Sequence, residues 1–273
     1  MASGQWSVVS VVGVGLIGGS FALALRKAGF AGKIIGVSSP RTVRAALERG
    51  AIDEAMPLAE AAAQSDLIYL AQPISRILET LDEIDPLVRP GTLITDAGST
   101  KTEIVRRASK RIRRGRFVGG HPLAGKQTRG VREAEADLFR DRPYVLTSRD
   151  AELERAIKRM GARVVIMKPE QHDRLVALTS HLPQLISTAL AETIGDEAGA
   201  SRVAGPAALD LTRLALSPYE IWRDIFSTNS TAIDRALRAF IKKLEELRTT
   251  LRRGGLEGEF ARASKAAKTL RRK

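Results

Sequence analysis

Short apolar runs alternate with amphipathic segments over the first third of the chain. The apolar runs have strand lengths and cover residues 6–12, 33–37, 66–71 and 92–96. The segments between them carry apolar residues at helical spacing and predict helices over residues 16–28, 42–48 and 77–84. Strands that alternate with helices are typical of a parallel, doubly wound sheet. We therefore predict an N-terminal α/β domain of the Rossmann type.

The alternation continues to residue 167 and then stops. Further strands are predicted over residues 117–120, 144–147 and 164–167, and helices over 104–111 and 151–160. Thr100 and Glu103 have the spacing of a capping box for the first of these helices. From Pro169 onward helical periodicity dominates, with a long apolar segment over residues 177–194. We expect an α/β domain over residues 1–168 and an all-α domain over residues 169–273.

An apolar stripe marks the last long helical segment. Its residues recur at spacings of three and four, and they are Ile233, Leu237, Phe240, Ile241, Leu244, Leu247 and Leu251. Such a stripe needs a partner surface. A helical domain that two subunits share fits this pattern best.

A glycine-rich turn joins the first predicted strand to the first predicted helix. In the segment Gly13-Val14-Gly15-Leu16-Ile17-Gly18, the first glycine permits a tight turn, the second allows a pyrophosphate to approach, and the third lets helix and strand pack closely. The backbone N–H groups at the start of the helix would face the phosphates. The strand–turn–helix context favours dinucleotide binding over an ordinary structural turn.

The residues after the second strand bear on which dinucleotide binds. NAD sites place an acidic residue about 20 residues past the glycines, where it holds the ribose 2′-OH. Here the segment is Ser38-Ser39-Pro40-Arg41, with Arg44 following and no carboxylate before Glu48. Hydroxyls and an arginine suit a 2′-phosphate, so NADP is favoured and NAD is the alternative. Arg41 and Arg44 could also be exposed residues of the next helix.

Two more polar segments follow strands. Gln72 and Pro73 come after the strand at 66–71, and Ser99 comes after the strand at 92–96. Ligands in doubly wound sheets bind beyond the carboxyl ends of the strands. We expect these residues beside the cofactor, although Ser99 could be a turn residue only.

Composition narrows the class of protein. The 273 residues are 44% hydrophobic and 27% charged, as in globular proteins, and include no cysteine, which excludes disulfides and thiolate chemistry. No apolar run approaches the roughly 20 residues that span a bilayer, and no signal peptide is visible, so we expect no membrane partner and a cytoplasmic location. The net charge is +13, with basic residues concentrated at 106–116 and 262–273. A solvated basic surface is favoured over nucleic-acid binding.

Three histidines carry the candidate acid–base chemistry. His121 follows a strand and lies between glycines and a proline, which core packing explains poorly. His172 is interpreted as a surface or capping residue, and in a straight helix it would face away from His181, so no metal site is predicted. Pro183 should kink the helix next to His181.

Several motifs together resemble the prephenate and arogenate dehydrogenases of tyrosine biosynthesis. The resemblance runs through about the first 230 residues and includes the segments 13–20, 96–101, 119–125, 180–183, 210–213 and 222–226. It implies a Rossmann-type domain, a helical dimerisation domain and a cleft between them. Other two-domain dehydrogenases typically carry a catalytic lysine on the first interdomain helix, and no lysine lies between Pro169 and Asp210. A cofactor-binding regulator is the remote alternative.

The resemblance implies a role for each matching residue. His121 would accept the proton of the C4 hydroxyl, at a pKa near its ordinary value, and Ser99 would bridge that hydroxyl, the histidine and the nicotinamide. Arg213 would clamp a substrate carboxylate. Trp222 would reach a neighbouring subunit's site in a homodimer. The other expected substrate-binding positions are Lys126, Gln127, Ser180, His181 and Gln184.

Two departures from the family pattern bear on the substrate. Gln184 stands where many relatives carry a histidine, which alters one polar contact with the substrate side chain. Gln127 stands where some relatives carry an acidic residue that would favour the ammonium group of arogenate. Neutral Gln127 favours prephenate, with arogenate or dual use as the alternative. No fused chorismate mutase or regulatory domain is expected.

Overall fold

The structure, a computed structural model, describes residues 6–271. The expectation that no leader precedes the fold concerns residues 1–5, which lie outside this range. The last two residues of the basic C-terminal segment lie outside it as well. Within residues 6–271, no helix combines the length and the apolar character that a membrane span requires.

A six-stranded parallel sheet forms the centre of the N-terminal domain. Its strands lie in the order β3-β2-β1-β4-β5-β6, so the direction of strand succession reverses between β1 and β4. Their bounds are β1 Val8–Val12, β2 Lys33–Val37, β3 Glu54–Ala55, β4 Leu67–Leu70, β5 Leu93–Asp96 and β6 Arg116–Val118. The predicted parallel Rossmann-type sheet is confirmed, and only the two-residue strand β3 has no counterpart in the prediction.

Helices cover both faces of this sheet. They are α1 Leu16–Lys27, α2 Pro40–Glu48, α3 Leu58–Gln64, α4 Ile74–Glu83 and α5 Thr102–Arg111, with a 3₁₀ turn at Asp85–Leu87. Successive residues of β4 enter two different apolar clusters. Leu67 and Tyr69 belong to the cluster that includes α1. Ile68 and Leu70 belong to the cluster that includes α4 and α5. Because side chains alternate along a strand, this division shows that both faces are buried.

The predicted strand over residues 117–120 is wrong in one respect, because the chain changes sheets there. The segments β7 Gly120–Pro122, β8 Pro143–Leu146 and β9 Arg163–Ile166 form a separate sheet, with α6 Ala151–Arg159 between the last two. β7 is antiparallel to β8, and β8 is parallel to β9. The Gly119 N–H donates to the Thr147 hydroxyl at 3.0 Å, and the Gly120 N–H donates to the Asp96 carboxylate. These two hydrogen bonds draw the chain away from the direction of β6.

The predicted capping box at Thr100–Glu103 is also wrong. The Thr100 hydroxyl lies 2.8 Å from the hydroxyl of Thr228. The carboxylate of Asp173 instead accepts hydrogen bonds from the N–H groups of Lys101 and Thr102, at 2.7 and 2.8 Å. A carboxylate from the helical domain therefore caps α5, a partner that local spacing cannot reveal.

The chain after β9 is helical. It comprises α7 Pro169–Val176, a π-helix at Ala177–His181, α8 Leu182–Gly195, α9 Pro206–Thr212, α10 Tyr219–Arg253 and α11 Glu257–Arg271, with 3₁₀ turns at Ala200–Val203 and Arg213–Leu216. A further 3₁₀ turn, Val131–Glu133, lies earlier, between β7 and β8. The π-helix ends at His181, two residues before Pro183, in the region where the sequence predicts a distortion. Helix α10 is broken at Asn229, whose φ and ψ are −131° and 21°. Of the apolar stripe, Ile233 is buried, whereas Ile241, Leu244 and Leu251 are exposed.

Acidic side chains pair with much of the basic segment at residues 106–116. Arg107 and Arg111 both contact Asp82, Arg106 contacts Glu103, and Arg116 contacts Asp150. These pairs fit the interpretation of this segment as a solvated surface.

Candidate active site

The glycine turn has the geometry that a dinucleotide requires. Gly13 has a positive φ of 91°, and its N–H donates to the Val37 carbonyl at 2.9 Å, which places the end of β2 beside the turn. Helix α1 begins directly after Gly15 without a side-chain cap. Its first N–H groups, which include those of Leu16, Ile17 and Gly18, are therefore available to phosphate oxygens.

Gly15 and Gly18 meet opposite requirements. A Cβ atom at Gly18 would lie 2.1 Å from the Gly13 carbonyl oxygen, whereas a Cβ atom at Gly15 would meet no atom within 4 Å. The space beside Gly15 is therefore open on the side where a pyrophosphate would approach. The turn fits a dinucleotide.

Ser38, Ser39 and Arg41 follow β2 and are exposed. The Ser39 hydroxyl lies 3.0 Å from that of Thr42 at the start of α2. Because β2 is adjacent to β1, these residues flank the glycine turn at the carboxyl edge of the sheet.

A cavity of about 400 Å³ lies between the two domains at this edge. It brings together four residues that the sequence assigns to the cofactor, Ile17, Gln72, Pro73 and Ser99. The sequence analysis missed the opposite wall, which consists of Arg129 and residues of α10, namely Glu220, Ile221, Arg223, Asp224 and Ile225. The segment 222–226 is part of the family resemblance, but the sequence analysis gave Arg223, Asp224 and Ile225 no role at the cofactor, because only the docking of the helical domain brings them here.

Helix α10 is attached to this cavity by a carboxylate. Asp224 accepts a hydrogen bond of 2.9 Å from the Ser75 N–H in the first turn of α4, and Ile225 enters the apolar cluster of α4 and α5. Burial alone raises the pKa of Asp224, but the bonds from Ser75 and Arg223 outweigh it and lower that pKa. Asp224 is thus an ionised cap that fixes the wall of the cavity.

A buried carboxylate joins the Ser99 loop to the histidine strand. Asp96 and Lys101 form an ion pair with no exposed side-chain surface. Asp96 also accepts hydrogen bonds from the Gly98 N–H at 2.8 Å and the Gly120 N–H at 3.0 Å. One side chain therefore holds the loop that carries Ser99 and the residue that precedes His121.

His121 is the first member of a hydrogen-bonded series of three side chains. Its Nδ1 atom lies 2.8 Å from Nε2 of His172, and Nδ1 of His172 lies 2.8 Å from Oδ1 of Asp173. His172 has no exposed surface, so its interpretation as a surface or capping residue is wrong. The sequence analysis missed the role of His172 and Asp173 because His121, the partner of His172, lies 51 residues away in the chain.

Burial sets the protonation states in this cluster. It lowers the pKa of His121 well below the ordinary value, helped by His172, Lys101 and His181, which differs from the expectation of a pKa near 6.5. Burial likewise lowers the pKa of His181 to about 4. Although burial raises the pKa of Asp173, the bonds from His172, Thr102 and Lys101 outweigh it, so this pKa is lowered. His121 is therefore a neutral hydrogen-bonding group near neutral pH.

His181 and Trp222 lie side by side in the helical domain. The His181 ring is buried, its Nδ1 atom is 3.3 Å from Nδ2 of Asn229, and its ring packs edge-on against Trp222. The indole N–H donates to Ser217 at 2.9 Å, and the ring stacks on Phe226. The indole thus packs within its own chain, and its contact with a neighbouring subunit stays a prediction.

Gln184 lies on α8, and Arg213 begins a 3₁₀ turn that is bonded to the same helix. Gln184 is buried, and within the part of the chain described here its Oε1 atom has no hydrogen-bond partner. The Ala215 N–H donates to Ser187 at 3.0 Å, which attaches the turn at Arg213–Leu216 to α8. Arg213 and Ser180 are exposed.

The loop after β7 carries the last two expected substrate residues. Lys126 pairs with Glu135 and also donates to the Glu133 carbonyl at 2.9 Å, so two contacts within the loop hold its ammonium group, and its contact with a substrate stays a prediction. Gln127 is exposed. Among residues 6–271, no group of three or more potential ligand side chains could hold a metal ion.

Comparison with known proteins gives consistent matches over most of the chain. The family model "Prephenate dehydrogenase, nucleotide-binding domain" matches residues 21–166, and the model "Prephenate dehydrogenase, dimerization domain" matches residues 168–265. A prephenate dehydrogenase of Lactococcus lactis is 35% identical over 246 residues, which cover 88% of this chain and 70% of that protein.

Two solved structures share the whole architecture. The prephenate dehydrogenase of A. aeolicus, in complex with hydroxyphenyl propionate and NAD⁺, superposes with a TM-score of 0.90 at 31% identity and covers 98% of this chain and 99% of its own. The arogenate dehydrogenase of Synechocystis superposes with a TM-score of 0.81 at 32% identity, with 97% and 98% covered.

Alanine at the two glycines should separate cofactor binding from folding. We expect Gly15→Ala to fold with wild-type thermal stability and to weaken dinucleotide binding at least about tenfold, because its methyl group occupies the space of the pyrophosphate. Gly18→Ala should lose about 1–3 kcal/mol of stability through its clash with the Gly13 carbonyl. Calorimetric titration with the dinucleotide and thermal melts measure both effects. Unchanged affinity in Gly15→Ala would contradict the assignment.

His181 should make folding stability depend on pH. The unfolded imidazole titrates near pH 6.5 and the folded one near 4, so between these values the unfolded chain binds the extra proton and stability falls as the pH falls. From about pH 7.5 to about pH 5, the wild type should lose about 2 kcal/mol more than His181→Gln in urea titrations. Equal losses in both proteins would show that His181 is not buried in its neutral form.

Proposed function

This chain belongs to the prephenate dehydrogenase family, and we propose that it converts prephenate to 4-hydroxyphenylpyruvate by oxidative decarboxylation, with NADP as the preferred cofactor. The observation that carries this proposal is the neutral His121, held against His172 and Asp173 and joined through Asp96 to the Ser99 loop at the cofactor cavity. The reaction requires a proton acceptor near the nicotinamide, and these contacts support His121 in that role.

His121 and Ser99 act on the C4 hydroxyl of the cyclohexadienol ring. The bound nicotinamide supplies the hydride acceptor. As the hydride leaves C4, the hydroxyl O–H bond breaks and His121 takes the proton, which a positioned neutral imidazole does well. Ser99, in the loop fixed by Asp96, orients the same hydroxyl. Loss of CO2 then aromatises the ring and makes the reaction effectively irreversible.

Arg213 binds a substrate carboxylate in this proposal. Its turn is fixed to α8 by the bond between Ala215 and Ser187, one helical turn beyond Gln184. A planar guanidinium binds a carboxylate through two parallel hydrogen bonds, which lysine cannot do. The exposed side chain is therefore suited to meet a substrate carboxylate.

Two glutamines set the preference between prephenate and arogenate. Gln127 offers no negative charge to the ammonium group of arogenate. The buried Gln184 carboxamide can present its oxygen to an ammonium group or, after rotation, its NH₂ to a keto oxygen. Gln184 serves either substrate, so the neutral Gln127 decides for prephenate, and arogenate is the second candidate.

The preference for NADP rests on the residues after β2. The polar residues after β2 lie next to the glycine turn, where the adenosine ribose of a dinucleotide would bind, and they are Ser38, Ser39 and Arg41. Their hydroxyls and guanidinium stabilise a 2′-phosphate, and the segment has no carboxylate to repel it.

A homodimer through the helical domain completes the proposal. Large apolar side chains are exposed there on several elements, and they include Leu209 and Leu211 of α9, Leu216, and Ile241, Leu244 and Leu251 of α10. Exposed apolar surface of this extent marks an interaction site, and a second copy of the chain is its occupant in this proposal.

A four-way steady-state assay tests the proposed function. Prephenate and arogenate are each combined with NAD and NADP, and the formation of reduced cofactor is followed by absorbance. We expect the highest kcat/KM for prephenate with NADP. A kcat/KM for arogenate more than about tenfold above that for prephenate would overturn the argument from Gln127, and no turnover in any combination would overturn the reaction class.

Arg41→Ala tests the cofactor preference. Loss of a charge-assisted bond to the 2′-phosphate should raise the KM for NADP about tenfold or more and leave the KM for NAD within about twofold. Arg159→Ala, which removes the exposed arginine at the end of α6, is the matched control for loss of one positive charge. If Arg41→Ala changes both KM values equally, Arg41 does not read the phosphate.

A further inference from the structure

We propose that His172 and Asp173 are positioning residues that hold the His121 ring in the tautomer with a free Nε2 atom, ready to accept a proton. The inference rests on the proposed function, because it matters only where His121 acts as a base. It extends that function by two residues that no family motif in the sequence pointed to.

The direction of each hydrogen bond follows from Asp173. Its two carboxylate oxygens accept from the N–H groups of Lys101 and Thr102, and an ionised carboxylate is an acceptor only. Nδ1 of His172, which is 2.8 Å from Oδ1, must therefore carry the hydrogen. The Nε2 atom of a neutral His172 is then an acceptor.

The same reasoning fixes the proton of His121. Nδ1 of His121 lies 2.8 Å from the acceptor Nε2 of His172, so Nδ1 carries the hydrogen and donates it. Neutral imidazole has one N–H, which leaves Nε2 of His121 as a free acceptor. A ring with its proton on Nε2 could not accept the substrate proton.

This arrangement is fixed by contacts between the two domains. His172 has no exposed surface and Asp173 only 4%. Asn229 at the break in α10 donates to the Asp173 carbonyl at 2.8 Å, and the Asp173 carboxylate caps α5. The pair can rotate only if α7 separates from α5 and α10.

The pair also gives the protonated His121 ring a hydrogen-bond acceptor, with the Asp173 carboxylate behind it. When the hydroxyl O–H bond breaks and the Nε2–H bond forms, His121 becomes a cation whose Nδ1–H already points to His172 and, behind it, to the Asp173 carboxylate. The hydrogens on His172 stay in place. Burial lowers the pKa of His121, and His172, Lys101 and His181 lower it further. The ionised carboxylate of Asp173, bonded to His172, is the negative group at the end of this series.

Two substitutions at His172 separate tautomer control from packing. Glutamine carries its carboxamide at the position of Nε2 and can still accept from His121. Asparagine carries it at the position of Nδ1, which keeps the bond to Asp173 but leaves His121 without an acceptor. We expect His172→Asn to lower kcat about 10²-fold with KM values unchanged, and His172→Gln to stay within about tenfold of the wild type.

The pH profile gives a readout that packing alone would not move. The midpoint of the acid limb in the pH profile of kcat should differ between His172→Asn and the wild type. The same midpoint should be unchanged in His172→Gln. The groups that face His121 and contribute to this limb are His172, Lys101 and His181, with Asp96 and Asp173 behind them. Equal losses of kcat in both variants, or an unchanged kcat in His172→Asn, would overturn the proposal.

The tautomer can also be measured directly, without substrate. The chain has three histidines. Long-range ¹H–¹⁵N correlation spectra of the labelled wild-type protein, assigned with His121→Gln and His172→Gln, distinguish the protonated from the bare nitrogen of each ring. We expect the hydrogen of His121 on Nδ1. A hydrogen on Nε2 in the folded wild type would overturn the proposal, whatever substrate the enzyme turns over.

Discussion

The carboxylate of Asp173 is the contact on which the active site depends. It caps α5 with both oxygens, orients His172, and lies in a residue whose carbonyl accepts from Asn229. The N-terminus of a helix offers unpaired N–H groups and the positive end of a dipole, so an anion from another domain is stabilised there. Asp224 repeats this arrangement at α4 through Ser75. Two carboxylates of the helical domain thereby fix its position on the Rossmann-type domain.

The buried pair of Asp96 and Lys101 provides position rather than net stability. Removing two charges from water costs more than their attraction returns unless further hydrogen bonds satisfy them. Here Asp96 also receives the N–H groups of Gly98 and Gly120, and burial lowers the pKa of Lys101 while Asp96 opposes that change. What the pair contributes is a fixed separation between the Ser99 loop and His121, which come from different sheets.

Local sequence signals predicted the parts of this molecule that local physics determines. The strand lengths, the glycine turn and the distortion before Pro183 each depend on neighbours in the chain, and the structure has all three. The change of sheet at Gly119, the cap on α5 and the role of His172 depend on partners far away in the sequence. The spacing Thr100–Glu103 satisfied a local rule, yet Asp173, an ionised carboxylate held by the docking of α7, took that place.

In the proposed mechanism, a base with a lowered pKa suits the reaction better than a strong one. A histidine at its ordinary pKa would be partly protonated near neutral pH, and a protonated ring cannot accept the substrate proton. Burial keeps His121 neutral at the expense of basicity. That loss matters little here, because the C4 hydroxyl turns into a protonated carbonyl as the hydride departs and is then far more acidic than an alcohol. The site therefore needs a correctly oriented acceptor more than a strong one, and orientation is what the buried contacts of His172, Asp173 and Asp96 supply.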